Sequence, residues 1–242
     1  MCLWRKKNGV KMVEMSEEHI FLQLIKEYGC KKVAEIGVAS GTLANRVLCD
    51  KDQKVQEYYA VDPWKVYVEA FSRPPTAKEL DQEYWDWVYE KVRLLKKKHK
   101  QLKILRNTSY GAASYLKKEG VELDCVYIDA VHDEKNIIVD CYYWMPVLQK
   151  RGILSGHDYG KSYIDMAIAL DNVFGEDLNL ILLNPNNHRH SYKNVHQSNW
   201  WVFLNKYKRD KFMTNIEEMY PQHLINNQED INNYHKYLWE RN

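Results

Sequence analysis

An apolar run that halts at two glycines, Val-Ala-Glu-Ile-Gly-Val-Ala-Ser-Gly-Thr over residues 33–42, constrains this chain more than any other stretch. It reads as a buried β-strand that turns at once into a helix. Gly37 and Gly41 can take backbone angles closed to other residues and let a ligand come up to the main chain, while the helix after them opens with unpaired amide groups. Ser40 stands in the same turn. Glu35 sets a negative charge beside it, which makes a poor cradle for phosphate and favours a cationic or neutral ligand.

The same alternation continues along the chain. Ser16 reads as a helix cap, with Glu17 and Glu18 in the first turn and Ile20, Phe21, Leu24, Ile25 and Tyr28 on one face before Gly29. After the first strand at 33–38 and a helix at 42–48, strands are expected at 58–61, 102–105, 123–128 and 152–156. Helices are expected at 134–149, which Pro146 should kink or finish, and at 162–173. Two late strands follow at 178–183 and 200–204, the second carrying the pair Trp200-Trp201 as core aromatics. Strands alternating with helices imply an α/β, Rossmann-like, doubly wound sheet, mainly parallel, with helices on both faces. Its ligand belongs outside the carboxyl ends of the strands, where strand order reverses. Those ends carry Glu35, Asp62, Thr108, Ser109, Asp129, His157 and Asp158.

With 242 residues and 45% hydrophobic content, the chain suits one domain over 1–242 better than two. Its core spans roughly 30–205, with an extension of surface helix and loose end at 206–242. An excursion at 64–100 places Leu80, Tyr84, Trp87, Val88 and Leu95 on one stripe and reads equally as a lid or as a crossover helix with an enlarged loop. The run Lys96-Lys97-Lys98-His99-Lys100 reads as a solvated helix end. Thirty-five Lys and Arg against 33 Asp and Glu leave a formal +2, which is not the field of a nucleic-acid binder. A small-molecule partner is expected, and self-association is left open. No apolar stretch reaches membrane-spanning length and no signal-peptide core is present, so a cytoplasmic protein is expected. The five cysteines, Cys2, Cys30, Cys49, Cys125 and Cys141, are scattered and read as reduced thiols, Cys125 and Cys141 within the core.

Asp62 lies about 25 residues past Gly37, where nucleotide folds place an acid to accept both ribose hydroxyls. Thr108 and Ser109 can hydrogen-bond an adenine edge. S-adenosylmethionine, a sulfonium, answers the charge argument at Glu35. His188, His190 and His196 fall in a polar stretch and read as loop residues.

From 123 to 159 the residues become specific, running Leu-Asp-Cys-Val-Tyr-Ile-Asp-Ala-Val-His and later Arg-Gly-Ile-Leu-Ser-Gly-His-Asp-Tyr. This resembles the class I S-adenosylmethionine-dependent methyltransferases over residues 30–160. Within that family it is most similar to the branch with an Ile-Asp-x-x-His strand end and a terminal His-Asp, which includes small-molecule and sugar O-methyltransferases. Gly152 keeps one glycine of the branch's Gly-Gly turn, whereas Arg151 replaces the other, so a local change is expected there. The Gly-x-Gly-x-x-Gly spacing of dehydrogenases is absent, as is an Asp-Pro-Pro-Tyr motif.

The resemblance implies seven strands with the last antiparallel. It implies that Glu35, Gly37 and Gly41 surround the methionine part of the cofactor, Asp62 its ribose, and Thr108 and Ser109 its adenine. Asp129 and His132 would lie near the transferred methyl, with His157 and Asp158 lining the acceptor pocket. Methyl transfer to a hydroxyl needs a base or a metal. Asp129, His132, His157 and Asp158 are the candidates for that work. Related enzymes hold a divalent cation such as magnesium at these two strand ends, here Asp129 and Asp158, although His157 stands where a second carboxylate is frequent. The alternative is a cofactor-binding module without turnover.

Overall fold

The computed structural model describes residues 4–7, 10–13, 19–66, 81–180 and 198–224. Two short strands, β1 (Trp4–Lys7) and β2 (Val10–Val13), pair antiparallel as a two-stranded sheet. The elements that follow are α1 (Ile20–Tyr28), β3 (Lys32–Ile36), α2 (Thr42–Cys49), β4 (Glu57–Asp62) and α3 (Gln82–Lys98). Next come β5 (Leu102–Arg106), α4 (Ser109–Lys118), β6 (Leu123–Ile128), α5 (Glu134–Trp144) and β7 (Leu148–Tyr159). The chain closes through α6 (Ile164–Phe174), β8 (Asn179–Leu180), β9 (Ser198–Phe203) and α7 (Lys206–Met219).

Seven strands form one sheet in the order β5-β4-β3-β6-β7-β9-β8. β3, β4, β5, β6 and β7 run parallel, and β9 is antiparallel to both its neighbours. The sheet therefore has the expected seven strands with the last reversed. From β3 the chain steps to β4 on one side and later to β6 on the other, which puts the reversal of strand order at the end of β3.

Because side chains alternate across a strand, each strand feeds two cores. Ala34, Ile36, Val61, Val126 and Ile128 pack with α4, α5, α6 and α7. Val33, Tyr58, Cys125, Tyr127 and Trp201 pack with α1, α2 and α3. Trp200 and Trp201 are fully buried, one in each core, and Cys125 and Cys141 are buried as expected.

Several boundaries differ from the sequence reading for local reasons. α1 is capped by His19, whose Nδ1 accepts from the Phe21 N–H, while Ser16, Glu17 and Glu18 lie outside the described residues. Pro146 finishes α5 in a single 3-10 turn at Met145–Val147. β7 then starts at Leu148, earlier than expected. Leu123 pairs with Leu148 but Cys125 with Ile153, so five steps along β7 match two along β6 and the segment holding Arg151 bulges. α7 is more than a surface helix, since Phe212 and Ile216 are buried in the first core.

The second half of the excursion, α3, forms a crossover helix between β4 and β5. Val88 and Val92 of α3 are buried against the sheet, whereas Trp87, about 100° round the helix from Val88, is 54% exposed. Trp87 therefore leaves the expected stripe and Val92 joins it. Leu80 and the rest of 67–80 lie outside the described residues, as do His188, His190, His196 and the tail after 224. No helix among the described residues is long and apolar enough to cross a membrane.

Candidate functional site

The ends of β3, β4, β6 and β7 meet at the reversal point, and Gly37 is what lets them close up. Its N–H donates to the Val61 carbonyl at 2.9 Å, and the Asp129 N–H donates to Ile36 at 2.8 Å. Gly37 has φ +89°, and a Cβ there would stand 2.1 Å from the Asp129 carbonyl oxygen. Gly41, at φ +76°, caps α2, and its missing Cβ would come 2.8 Å from Leu95 of α3. The space a side chain would need is filled by protein, so both glycines also serve strand and helix approach. Ser40 Oγ pairs with Thr42 Oγ1 at 3.0 Å beside the turn.

Glu35 stands differently from the expectation. It is not a charge beside the turn but an inward residue of β3, 3% exposed, accepting a 2.5 Å bond from the Tyr58 hydroxyl. Burial pushes its carboxyl up to about 8, opposed by the Tyr58 bond and reinforced by Asp129 and Asp62. At neutral pH it is largely protonated, and the argument against phosphate from its charge falls away.

Asp62, the last residue of β4, is also buried. Its Oδ2 accepts from the Ala39 N–H at 2.9 Å and its Oδ1 from the Trp64 N–H at 2.7 Å. Burial raises its pKa against these amide bonds. Each oxygen keeps a lone pair for a further donor. Trp64, fully buried, returns an indole N–H bond of 2.8 Å to the Ala39 carbonyl.

At the end of β5, Thr108 Oγ1 caps α4 by accepting from the Gly111 N–H. Ser109 faces inward: its Oγ accepts from Trp144 Nε1 at 2.8 Å and bonds Asp140, whose carboxyl burial pushes up to about 7. The Ser109 hydroxyl is thus engaged in packing α4 on α5.

The four expected catalytic side chains converge. His132 Nε2 lies 2.7 Å from Asp158 Oδ2 and 3.3 Å from Asp129 Oδ1. His157 Nδ1 lies 2.9 Å from Asp158 Oδ1 and 4.0 Å from Asp129 Oδ1. Burial works to lower the His132 pKa, but its bonds to Asp129 and Asp158 prevail and carry it to about 9. His157 follows the same balance and is also raised. Asp158 resists burial and is held well below the usual carboxylate range by the two imidazoles. It sits at φ +66°, a left-handed angle for a non-glycine residue, where the β7–β9 register shifts between Gly156 and Tyr159. Its Oδ1 is buried without an aligned hydrogen-bond donor, the His157 contact being close but off the bond direction. Asp129, His132 and Asp158 each offer a ligand atom within 4.8 Å of the others.

Two neighbours escaped the sequence reading. The Tyr163 ring stands 4.8 Å from His132. His19 stacks on His157 at 6.4 Å with 18° between planes, and its Nε2 is 3.3 Å from the Tyr127 hydroxyl, which donates to Asn199 Oδ1. Burial and the His157 charge lower His19 to about 4, so it stays neutral. Its place directly before the apolar run at Ile20 was the available signal, overshadowed by Ser16.

The family described as "Methyltransferase domain" matches residues 34–159. No curated protein matches the sequence. Among solved structures, an rRNA methylase from Streptococcus thermophilus aligns at 11% identity over 80% of this chain and 99% of its own, with a TM-score of 0.52. The O-methyltransferase TomG from Streptomyces achromogenes, involved in tomaymycin synthesis and in complex with SAM, aligns at 8% identity over 77% and 78%, with a TM-score of 0.51. Aeropyrum pernix fibrillarin with natively bound S-adenosyl-L-methionine aligns at 13% identity over 71% of this chain and 66% of its own, with a TM-score of 0.44.

Proposed function

The chain belongs to the methyltransferase-domain family, and from that premise we propose that it moves the methyl group of S-adenosylmethionine to a hydroxyl of a small metabolite, a sugar being the leading class. The observation that carries this reading is the meeting of Asp129, His132, His157 and Asp158 beside the Gly37 turn.

In this reading the 37–41 turn surrounds the methionine part of the cofactor, the remaining lone pairs of Asp62 take the ribose hydroxyls, and the Thr108 end of β5 borders the adenine. Transfer is an in-line displacement, so the protein aligns acceptor oxygen, carbon and sulfur and removes the acceptor's proton. Below about pH 9 His132 already carries its proton and cannot take another. Asp158 is too weak a base, being held ionised by both imidazoles. His157, raised less than His132, is the first of the two imidazoles to lose its proton as pH rises, and because its Nδ1 turns to Asp158, Nε2 is the nitrogen that then meets the substrate.

The donor set also fits a divalent cation, since Asp129, His132 and Asp158 converge and Asp158 Oδ1 lacks an aligned donor. An imidazole with two carboxylates suits manganese, iron or zinc better than magnesium, which favours an all-oxygen shell. Held by Asp129, His132 and Asp158, such an ion would supply Lewis-acid stabilisation of the charge that develops on the acceptor oxygen.

The test is product detection by mass spectrometry with S-adenosylmethionine and a panel of sugars and other hydroxyl compounds. Transfer to at least one acceptor is expected, with His157→Ala lowering kcat about a hundredfold or more while S-adenosylhomocysteine affinity stays within about threefold. Undiminished turnover in His157→Ala removes the base assignment. Failure of calorimetry to detect S-adenosylhomocysteine removes the cofactor.

A further inference from the structure

Trp64 stands outside every role considered so far, yet it is tied to the cofactor turn on three sides. Its N–H donates to Asp62 Oδ1, its indole N–H donates to the Ala39 carbonyl, and Asp62 Oδ2 accepts from the Ala39 N–H. The three bonds form a closed clasp between the end of β4 and the 37–41 turn. Both residues held by it, Ala39 at φ +46° and Trp64 at φ +43°, adopt the left-handed region that L side chains avoid. Such angles persist only where the surroundings over-determine them. The surroundings here are α3 and the end of β5. The Trp64 carbonyl accepts from Gln82 Nε2 at 3.0 Å and from Arg106 at 3.2 Å, and its ring lies 4.9 Å from Tyr89. Arg106 in turn stacks on Tyr89 at 4.6 Å and pairs with Asp86 at 2.6 Å.

We infer that Trp64 is a positioning residue for the cofactor: its indole N–H fixes the Ala39 carbonyl, and through it the shape of the turn that receives the methionine part. The inference rests on the S-adenosylmethionine reading above. It gives α3 a job at the site, as the brace behind the clasp. It also separates two parts of one ligand, because Trp64 grips the turn while Asp62 retains its lone pairs for the ribose.

Two substitutions divide the indole's contributions. Trp64→Phe keeps a ring and removes the donor. Trp64→His keeps an N–H at the matching position of the five-membered ring and removes the second ring. Binding is measured by calorimetry with S-adenosylhomocysteine, which carries the amino-acid tail, and with 5′-methylthioadenosine, which lacks it.

Trp64→Phe is expected to weaken S-adenosylhomocysteine about tenfold, the worth of one buried hydrogen bond, and methylthioadenosine less than about twofold. Trp64→His is expected to restore the wild-type ratio of the two affinities. Equal weakening of both ligands by Trp64→Phe, or no weakening of either, overturns the positioning role while leaving the cofactor reading intact. If Trp64→Phe fails to fold by circular dichroism, Trp64→His decides alone: a wild-type ratio supports the role and an altered ratio overturns it. Wild-type protein that binds neither ligand overturns the cofactor reading itself and this inference with it.

Discussion

Replacing Glu35 with glutamine tests the electrostatics of the sheet's interior directly. The wild-type carboxyl titrates near 8 in the folded protein against an ordinary 4.5, and the side chain is fully buried beside Tyr58. A folded-state pKa raised above the unfolded value stabilises the fold fully below the unfolded pKa, and that stabilisation is lost as pH rises through the folded pKa. At 1.36 kcal/mol per pKa unit, the shift corresponds to about 4 kcal/mol lost between about pH 5 and about pH 9, as a ceiling that relaxation of the site reduces. The substituted amide has no proton to lose in this range and can still accept the Tyr58 hydroxyl. Urea unfolding followed by circular dichroism at pH 5, 6, 7, 8 and 9 should therefore show the wild-type midpoint falling relative to Glu35→Gln. With a urea slope of about 3 kcal/mol per molar, the relative fall is about 1 M. Other groups that titrate in this window are common to both proteins and cancel in the difference. A wild-type minus variant difference that stays flat from pH 5 to pH 9 refutes the assignment of a buried, protonated Glu35.

Gly37→Ala should destabilise the fold by about 3 kcal/mol or more, because a Cβ would strike the Asp129 carbonyl and the residue has φ +89°; a melting temperature within about two degrees of wild type would contradict this. His132 should titrate near 9 by NMR, and Asp158→Asn should bring it down towards its ordinary 6.5. Its pairing stabilises the fold fully below about pH 6.5 and no longer above about pH 9, and titration near 6.5 in wild type would remove the pairing. Asp62→Ala should weaken S-adenosylhomocysteine and lower thermal stability together, since the carboxylate also holds two backbone amides; a loss of binding with unchanged stability would mean those amides contribute nothing.

The strand skeleton was readable because the apolar runs of β3, β4, β6 and β7 are ended abruptly by Gly37, Asp62, Asp129 and His157-Asp158. The convergence of Asp129, His132, His157 and Asp158 was readable for the same reason, since strand ends in such sheets face one crevice. Register was not. Glu35 looks like a charge beside a turn until the pairing of β3 with β4 and β6 sets it among Tyr58 and Tyr127, and pairing leaves no local mark. The neighbours of a missing Cβ are equally silent: only packing shows that Gly41 yields to Leu95 and Gly37 to Asp129. β7 began early because Leu148 pairs across a bulge, which periodicity reads as a break. His19 and Trp64 were overlooked because each acts through backbone and ring geometry, not through a motif.

The left-handed angle at Asp158 sets two kinds of selection against each other at one residue. Glycine there would relax the backbone by about 1 kcal/mol, and it would take away the anion that steadies both imidazoles. Because the same pairing also stabilises the fold at neutral pH, Asp158→Gly trades backbone relief against lost ion pairs, and heat tolerance reads the balance of the two. The aspartate that holds this left-handed angle is the one whose carboxylate meets two imidazoles.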